Sequence, residues 1–255
     1  MKTTTTTHPL VAYILRHADD NLVMGQRLAE YVTRAPELEE DLAIGNLSLD
    51  HIGVAMHLYG YAATLSDDDI TGDDLAFLRS EREFSNTLLV EQPHNDFGEV
   101  MARQFFFAQY QVLLWECLSE STDETLAGIA QKALKEATYH VRHASGWVIR
   151  LGDGTDDSHA RMQAAIDAMW RFTGELFEND TLVDDMVAAG IGADQIAMKA
   201  RWDTRVDAVL TEATLDRPQD PYQATGGRNG IHTEYLGHML AEMQWMQRTH
   251  PGLQW

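Results

Sequence analysis

The chain carries two pairs of long helical patterns, and this arrangement restricts the fold more than any other feature of the sequence. A short break joins the two patterns of each pair: Ala35–Pro36 in the first pair and Ser121–Asp123 in the second. A longer and more acidic segment, 66–95, separates the pairs. Alternating β-branched runs around a tight turn, the usual mark of a hairpin, do not occur. The sequence therefore predicts an all-α fold.

Apolar residues recur every three or four positions along both pairs, as in helices that bury one face. The predicted helices of the pairs are 9–34, 36–65, 96–120 and 124–151, and three more follow at 157–178, 193–215 and 231–248. Two antiparallel helix pairs joined by one long connection form a ferritin-like four-helix bundle. We therefore predict one ferritin-like helical domain over 8–255, with additional C-terminal helices, behind a disordered threonine-rich tail at 1–7.

The apolar spacing also predicts which face of each helix in the first pair is buried. The predicted inward stripe of the first helix is Ile14, Ala18, Asn21, Gly25, Leu28 and Val32. The predicted inward stripe of the second helix is Leu38, Leu42, Leu49, Ile52 and Met56. Both stripes follow the repeat of a helix that buries one face.

Composition excludes several classes of function. Acidic residues number 40 against 19 basic ones, so the formal net charge is -21. A field of that sign repels nucleic acid and anionic membrane surfaces. The single cysteine, Cys117, cannot form an internal disulfide, and no apolar run is long enough to cross a bilayer. We expect a cytoplasmic protein that binds neither nucleic acid nor membranes.

The predicted topology calls for a specific test of the inward positions. Ferritin-like bundles that hold two irons carry a Glu on the first and third helices and Glu-x-x-His on the second and fourth. The second helix here has Asp50 followed by Gly53 at the histidine position. The fourth has Glu136 followed by Tyr139, with His140 one residue further. Both histidine positions are therefore filled by other residues.

The first and third helices also lack the expected carboxylates. The inward residue of the first helix at the matching depth is Asn21, and the third helix has no carboxylate between Glu99 and Glu116. The predicted remnant of a di-iron pocket consists of Asn21, Asn46, Asp50, Gly53, Gln104, Glu136, Tyr139 and His140. We expect no metal and no catalysis there. Asp50 and Glu136 should instead accept hydrogen bonds from His140, Tyr139, Asn46 or an arginine.

Other candidate sites are weaker. Asp50, Glu136, His140 and His143 could bind a metal in an independent oxidoreductase, and this alternative stays open. His232, Glu234 and His238 do not have the His-Glu-x-x-His spacing of zinc proteases and suggest at most adventitious metal binding. The glycine-rich segment 226–228 could bind a phosphate, but no strand precedes it.

Several segments resemble the C-subunit family of phenylacetyl-CoA epoxidases. These segments are Leu89–Pro93, Lys135–His140, Trp170–Thr173, Ile231–Leu236 and the ending Pro251–Trp255. The resemblance covers nearly the whole chain from about Leu10 onward. It implies a multicomponent di-iron monooxygenase of aerobic phenylacetate catabolism, in which the C-type member has the fold of the catalytic A-type member.

The resemblance also implies what this chain does and what its partners supply. The A-type subunit would hold the iron and epoxidise the CoA thioester, and a reductase subunit would deliver electrons from NADPH through flavin or iron–sulfur groups. This chain would be a non-catalytic structural subunit with no cofactor, inactive alone, in a homo- or hetero-oligomer. The missing ligands agree with this expectation, but the substrate is known only through the resemblance.

Overall fold

A computed structural model describes residues 8–66, 69–219 and 221–253. Within these ranges the chain forms helices, turns and loops, with no strand. The prediction of an all-α fold is therefore confirmed for the described residues. The predicted disordered tail, 1–7, lies outside them.

The described residues contain eleven α-helices and three short 3-10 helices. The α-helices are α1 Pro9–Ala29, α2 Leu38–Thr64, α3 Gly72–Phe77, α4 Leu88–Glu91, α5 Phe97–Leu118, α6 Glu124–Gly152, α7 Asp156–Trp170, α8 Thr181–Ala188, α9 Gln195–Glu212, α10 Glu234–Met243 and α11 Trp245–Thr249. The 3-10 helices are Glu81–Glu83, Gly174–Phe177 and Gly227–Asn229.

The long helices lie where they are predicted, but several of them end at residues other than the predicted ones. The first predicted helix, 9–34, ends five residues early at Ala29, because the chain turns there and Thr33 adopts a positive φ of 79°. The helix predicted at 157–178 ends at Trp170 and continues as a separate 3-10 turn. Helix α8 was not predicted; it is eight residues long and follows the capping residue Asp180.

The chain forms two compact units that interleave along the sequence. The first consists of the described parts of Met1–Val32, Asp41–Pro93 and Gly226–Trp255. The second consists of Thr33–Glu40 and His94–Thr225. The prediction of a single domain over 8–255 stays a prediction.

In the first unit, α1 and α2 approach closely through small residues. A Cβ atom at Gly25 would lie 2.9 Å from the side chain of Ile52 and 3.1 Å from the backbone oxygen of Ser48. Glycine is therefore required at position 25, where the predicted inward stripe of α1 placed it. The hydroxyl of Ser48 donates a hydrogen bond of 2.8 Å to the backbone oxygen of Gly25 and fixes the contact.

The prediction for the buried face of α2 is wrong. Leu38, Leu42, Leu49 and Met56 are between 62% and 70% exposed. The buried residues of α2 are Ile44, Leu47, Ser48, His51, Val54, Ala55, Leu58, Tyr59 and Ala62. Helix α2 carries apolar residues on two faces, so the helical repeat alone does not select one. The face with Ser48 and His51 is buried because these residues hydrogen-bond to α1.

The second unit is built around α5, most of whose aromatic residues lie in the core. The rings of Phe106, Trp170 and Trp202 have centroids 5.7 to 5.9 Å apart, within the range of favourable aromatic contacts. The indole of Trp202, which is 1% exposed, donates a hydrogen bond to the backbone oxygen of Phe106. This cluster joins α5, α7 and α9.

Candidate functional site

In the first unit, the inward partner of Asn21 is His51 rather than Asp50. The Nδ1 atom of His51 donates to Oδ1 of Asn21 at 2.9 Å, and Nδ2 of Asn21 donates to the backbone oxygen of His17 at 2.8 Å. Asn21 and His51 are each 1% exposed. The predicted position of Asn21 is therefore internal, and its side chain is fixed by hydrogen bonds within the unit.

The α2 residues predicted to line the pocket lie further out than expected. Asn46 is exposed, so its assignment to an internal pocket is wrong. Asp50 and Gly53 are half-buried. A Cβ atom at Gly53 would meet no atom within 4 Å, so this position faces open space. Helix α2 buries the face that carries His51, so Asn46, Asp50 and Gly53 lie towards the surface.

In the second unit, the predicted positions divide between core and surface. Gln104 and His140 are buried, at 0% and 2% exposure. Glu136 is half-buried, and Tyr139 is 41% exposed. The guanidinium of Arg142 lies 5.3 Å from the ring centroid of Tyr139. The assignment of Tyr139 to an internal pocket is therefore wrong. The expected hydrogen-bond partners of Asp50 and Glu136 stay a prediction.

His143, a ligand in the alternative metal site, is bound within the second unit. Its Nε2 atom donates a hydrogen bond of 2.9 Å to Oε2 of Glu40. The indole of Trp147 donates to the same oxygen at 2.8 Å. Glu40 therefore holds His143 and Trp147 together on one side of α6.

The donors at these positions do not fit a di-iron centre. Gly53 offers no side chain, Tyr139 points outward, and the Oδ1 atom of Asn21 is taken by His51. Among the described residues, no three His, Cys, Asp or Glu side chains are grouped so that they could hold a metal ion. Two irons need carboxylates and histidines that converge on one layer, and the residues present do not supply that set.

Sequence reasoning missed a buried ionic cluster in the first unit, centred on Asp19. The carboxylate of Asp19 forms an ion pair with Arg79 and accepts hydrogen bonds from the hydroxyl of Tyr59 at 2.6 Å and the backbone N–H of Ser85 at 2.8 Å. Burial and the Asp19 charge raise the pKa of Tyr59 well above its usual value. Burial lowers the pKa of Arg79, but Asp19 outweighs it and raises the pKa. Tyr59 is therefore neutral and Arg79 charged.

A second buried ion pair connects α1 to the segment after α9. Asp20 accepts a hydrogen bond of 2.8 Å from Arg228 and one of 2.7 Å from the backbone N–H of Thr87. Burial nevertheless raises the pKa of Asp20, although Arg228 opposes the shift. The guanidinium of Arg228 donates hydrogen bonds to Asp20 and to backbone oxygens. These bonds weigh against the phosphate site suggested for segment 226–228.

Glu91 is the third buried acid of the first unit. It accepts hydrogen bonds from Nδ1 of His232 at 2.9 Å, from the backbone N–H of Thr233 at 2.6 Å and from Nδ2 of Asn86 at 2.9 Å. Because His232 binds Glu91, it does not form the suggested metal-binding group with Glu234 and His238. Those two residues are both exposed. These three residues do not form a metal site.

Comparison with known proteins gives the family. The model of the family described as "Phenylacetic acid catabolic protein" matches residues 1–255. The chain belongs to this family. It is also 50% identical, over 246 residues, to the C subunit of 1,2-phenylacetyl-CoA epoxidase from Escherichia coli (strain K12), and the match covers 96% of this chain and 99% of that protein. The predicted resemblance is confirmed, and so is the ferritin-like helical fold, which is the fold of the family.

Two of the segments that carry the family resemblance meet at Glu91. Leu89–Pro93 supplies Glu91 itself, and Ile231–Leu236 supplies His232 and Thr233. Arg27 of α1 adds two hydrogen bonds of 2.9 Å, to the backbone oxygens of Glu91 and Tyr235. Because these polar groups satisfy one another, the family segments stabilise the first unit. In the sequence, the two family segments were the signal that could have located this contact.

Two further observations concern membrane-spanning helices and the single cysteine. Among the residues that the structure describes, no helix is long and apolar enough to cross a membrane. Cys117 is half-buried, and burial raises the pKa of its thiol. A raised pKa disfavours the nucleophilic thiolate, so Cys117 is poorly suited to act as a nucleophile.

Proposed function

We propose that this chain is the non-catalytic structural subunit of a multi-subunit di-iron monooxygenase that epoxidises phenylacetyl-CoA in aerobic phenylacetate catabolism. The observation that carries the proposal is the donor set: Gly53 and Tyr139 stand where ligand histidines would be needed, and Tyr139 is exposed. The relative, which is the C subunit of a 1,2-phenylacetyl-CoA epoxidase, supports the substrate and the membership of a complex.

In this proposal the chemistry belongs to partner subunits. A catalytic A-type subunit, homologous in fold, holds the iron and the CoA thioester. A reductase subunit supplies electrons from NADPH through flavin or iron–sulfur groups. This chain contributes a stable helical partner and no cofactor, is inactive alone, and works in the cytoplasm. Its net charge of -21 disfavours binding of the polyanionic CoA tail to this subunit.

The competing function is an independent metal-binding oxidoreductase that uses Asp50, Glu136, His140 and His143. The contact of His143 with Glu40 weighs against it, because Nε2 would have to leave a carboxyl oxygen that also holds Trp147. Asp50 is half-buried on a helix whose inward residue is His51. No positive observation favours this second function.

The experiment that separates the two functions is reconstitution with a Glu136→Ala variant. The variant is purified, combined with the other epoxidase subunits, and assayed for iron content and for epoxidation of phenylacetyl-CoA. A structural subunit predicts unchanged turnover of the assembled complex. The matched control is Glu124→Ala at the start of the same helix. A folded, fully assembled complex that loses iron and activity only with Glu136→Ala would establish a working metal site here.

A further inference from the structure

The loop before α10 contains the dipeptide Asn229–Gly230, and the side chain of Asn229 is exposed. An asparagine side chain can close into a ring on the backbone nitrogen of the next residue. Glycine permits this closure most readily, because it has no Cβ atom and few restrictions on its backbone. The other five asparagines of the chain precede leucine, threonine or aspartate, whose side chains hinder the ring. Asn229 is therefore the asparagine best suited to this chemistry.

The reaction is a hydrolysis that passes through a cyclic imide. The backbone nitrogen of Gly230 attacks Cγ of Asn229, the N–Cγ bond forms, the Cγ–Nδ2 bond breaks and ammonia leaves. Water then opens the imide. Opening at Cγ gives an aspartate, and opening at the backbone carbonyl gives an isoaspartate, whose main chain runs through the former side chain and is longer by one carbon. Water is the only co-reactant, and no electrons are gained or lost.

The folded loop holds the attacking nitrogen away from Cγ. Asn229 is the last residue of the 3-10 helix Gly227–Asn229, and the backbone N–H of Gly230 donates a hydrogen bond of 3.0 Å to the backbone oxygen of Gly227. Gly230 has a positive φ of 70°, and a Cβ atom there would overlap the backbone oxygen of Arg82. Ring closure requires that this hydrogen bond break and that the backbone of Asn229 leave its helical conformation. The closed loop is therefore unreactive.

Two buried contacts keep the loop closed, one on each side of Asn229. Before it, Arg228 donates a hydrogen bond of 2.8 Å to Asp20. After it, Nδ1 of His232 lies 2.9 Å from Oε2 of Glu91. Opening of the loop separates these contacts and leaves buried polar groups without their partners, which is costly. The open loop is therefore a minor state of the folded chain.

We propose that Asn229 is a site of spontaneous deamidation whose rate is set by the opening of segment 226–232 from the first unit. The rate in the folded chain is the rate of the unfolded chain multiplied by the fraction of molecules in which the segment is open. Modification at Asn229 then accumulates only in chains whose contacts at Asp20 and Glu91 have separated.

An isoaspartate at position 229 prevents the loop from closing again. A Cβ atom at Gly227 would overlap the backbone oxygen of Asn86, so the glycines on both sides of Asn229 fit against the backbone of segment 82–86 without spare room. An additional main-chain carbon between these glycines displaces one of them. If Arg228 stays on Asp20, the shift moves His232 away from Glu91. Deamidation to isoaspartate thus converts a transient opening into a permanent one.

Ageing of the full chain at physiological temperature and pH tests the control by folding. Peptide mapping by mass spectrometry measures deamidation at Asn229, and enzymatic methylation of isoaspartate identifies the longer product. A parallel sample in guanidinium chloride gives the rate of the unfolded chain. The folded chain should react at least about tenfold more slowly at Asn229. Equal rates in the two samples would overturn the proposal, and so would an unfolded chain that does not react at this residue.

A matched pair of variants tests the contacts that hold the segment. Glu91→Gln weakens the contact with His232 without changing Asn229 or its neighbours, and it should accelerate deamidation severalfold in the folded chain. Glu116→Gln is the control, because Glu116 is a half-buried acid of the second unit that pairs with Arg201. It should react like wild type.

A second variant at the same contact covers the case in which Glu91→Gln does not fold. Arg27→Lys removes the hydrogen bonds from the guanidinium to the backbone oxygens of Glu91 and Tyr235 while keeping the charge. It should also accelerate the reaction at Asn229. A folded variant at either residue that reacts no faster than Glu116→Gln contradicts the assignment of these contacts as the closure.

Limited proteolysis of the aged chain tests the consequence of the modification. The isoaspartyl form is separated by ion-exchange chromatography, since it carries an additional negative charge, and it should be cleaved in segment 226–253 faster than fresh protein. Asn229→Gln, which closes the corresponding ring far more slowly, should stay resistant through the same treatment. An isoaspartyl chain as resistant as fresh protein would show that the loop closes again. The proposal does not depend on the proposed function, because every measurement uses this chain alone.

Discussion

The Nδ1 atom of His232 lies 2.9 Å from Oε2 of Glu91, and both side chains are completely covered. The Nε2 atom of the same ring lies 3.0 Å from the backbone oxygen of Phe84. Both partners accept hydrogen bonds through oxygen, so the protonated imidazole, which donates from both ring nitrogens, satisfies this contact fully. Burial lowers the pKa of His232, but the hydrogen bonds to Glu91 and Phe84 outweigh it and raise the pKa above 6.5.

This contact predicts a specific loss of stability at high pH. A histidine whose pKa is raised by folding contributes stability below the unfolded value of 6.5, and this contribution is lost as pH rises through the folded value. Chemical denaturation across that range measures the free energy of unfolding. Subtracting the profile of His232→Gln removes the titration of other groups, including His17, whose pKa burial lowers. Parallel profiles for the two proteins would contradict a charged His232.

Removal of Arg79 should be costly, because it leaves Asp19 buried without its cation. Both members of this pair are at most 5% exposed, and breaking a buried pair from one side typically costs about 3–5 kcal/mol. We expect Arg79→Ala to lower the free energy of unfolding by about that amount. Arg161→Ala is the matched control, since Arg161 and Asp157 are 66% and 74% exposed and such pairs contribute under about 1 kcal/mol. Equal losses would show that the buried pair has no special role.

Gly227 should not tolerate a side chain. A Cβ atom there would lie 2.2 Å from the backbone oxygen of Asn86, which cannot move without disturbing the contacts around Glu91. We expect Gly227→Ala to lower the melting temperature in differential scanning calorimetry. Gly128→Ala on α6 has open space around its Cβ and should raise stability by about 0.5–1 kcal/mol. An unchanged melting temperature for Gly227→Ala would mean that this close approach is relaxed in solution.

The inward position of His51 predicts a difference between two neighbours on α2. His51→Ala removes the partner of a buried asparagine oxygen, which costs about 1–3 kcal/mol in general. Asp50→Ala alters a half-buried residue and should cost clearly less. Urea denaturation of both variants compares them directly. A larger loss for Asp50→Ala would restore the sequence-based assignment of Asp50 as the inward residue.

The sequence predicted the long helices well because their patterns are local. Helices α5 and α6 begin at Phe97 and Glu124, directly after the capping residues Asp96 and Asp123 and within one residue of the predicted bounds. The buried face of α2 could not be predicted in the same way, because this helix is apolar on two sides. Hydrogen bonds from Ser48 and His51 to α1 select the buried side, and such pairings depend on the neighbouring helix.

The candidate site was predictable only in part, for a related reason. Counting ligands at Gly53 and Tyr139 needs only helical spacing, so it could be done from the sequence, but that spacing did not show that Tyr139 is exposed. The pairs that fill the first unit join residues far apart in sequence: Glu91 and His232 are 141 residues apart, and Asp20 and Arg228 are 208 apart. Nothing in the local pattern of either member identifies the other.

The discontinuous first unit sets an order of events during synthesis on the ribosome. Asp19, Asp20 and Glu91 are synthesised early, but Arg228 and His232 follow only after the whole of His94–Thr225. Until then the acids Asp20 and Glu91 lack the cations that make their burial favourable. The second unit, whose main segment is His94–Thr225, is complete before them. The first unit can therefore close only after the main segment of the second unit has been made, and a nascent chain that stalls before Arg228 leaves two acids of its core uncompensated.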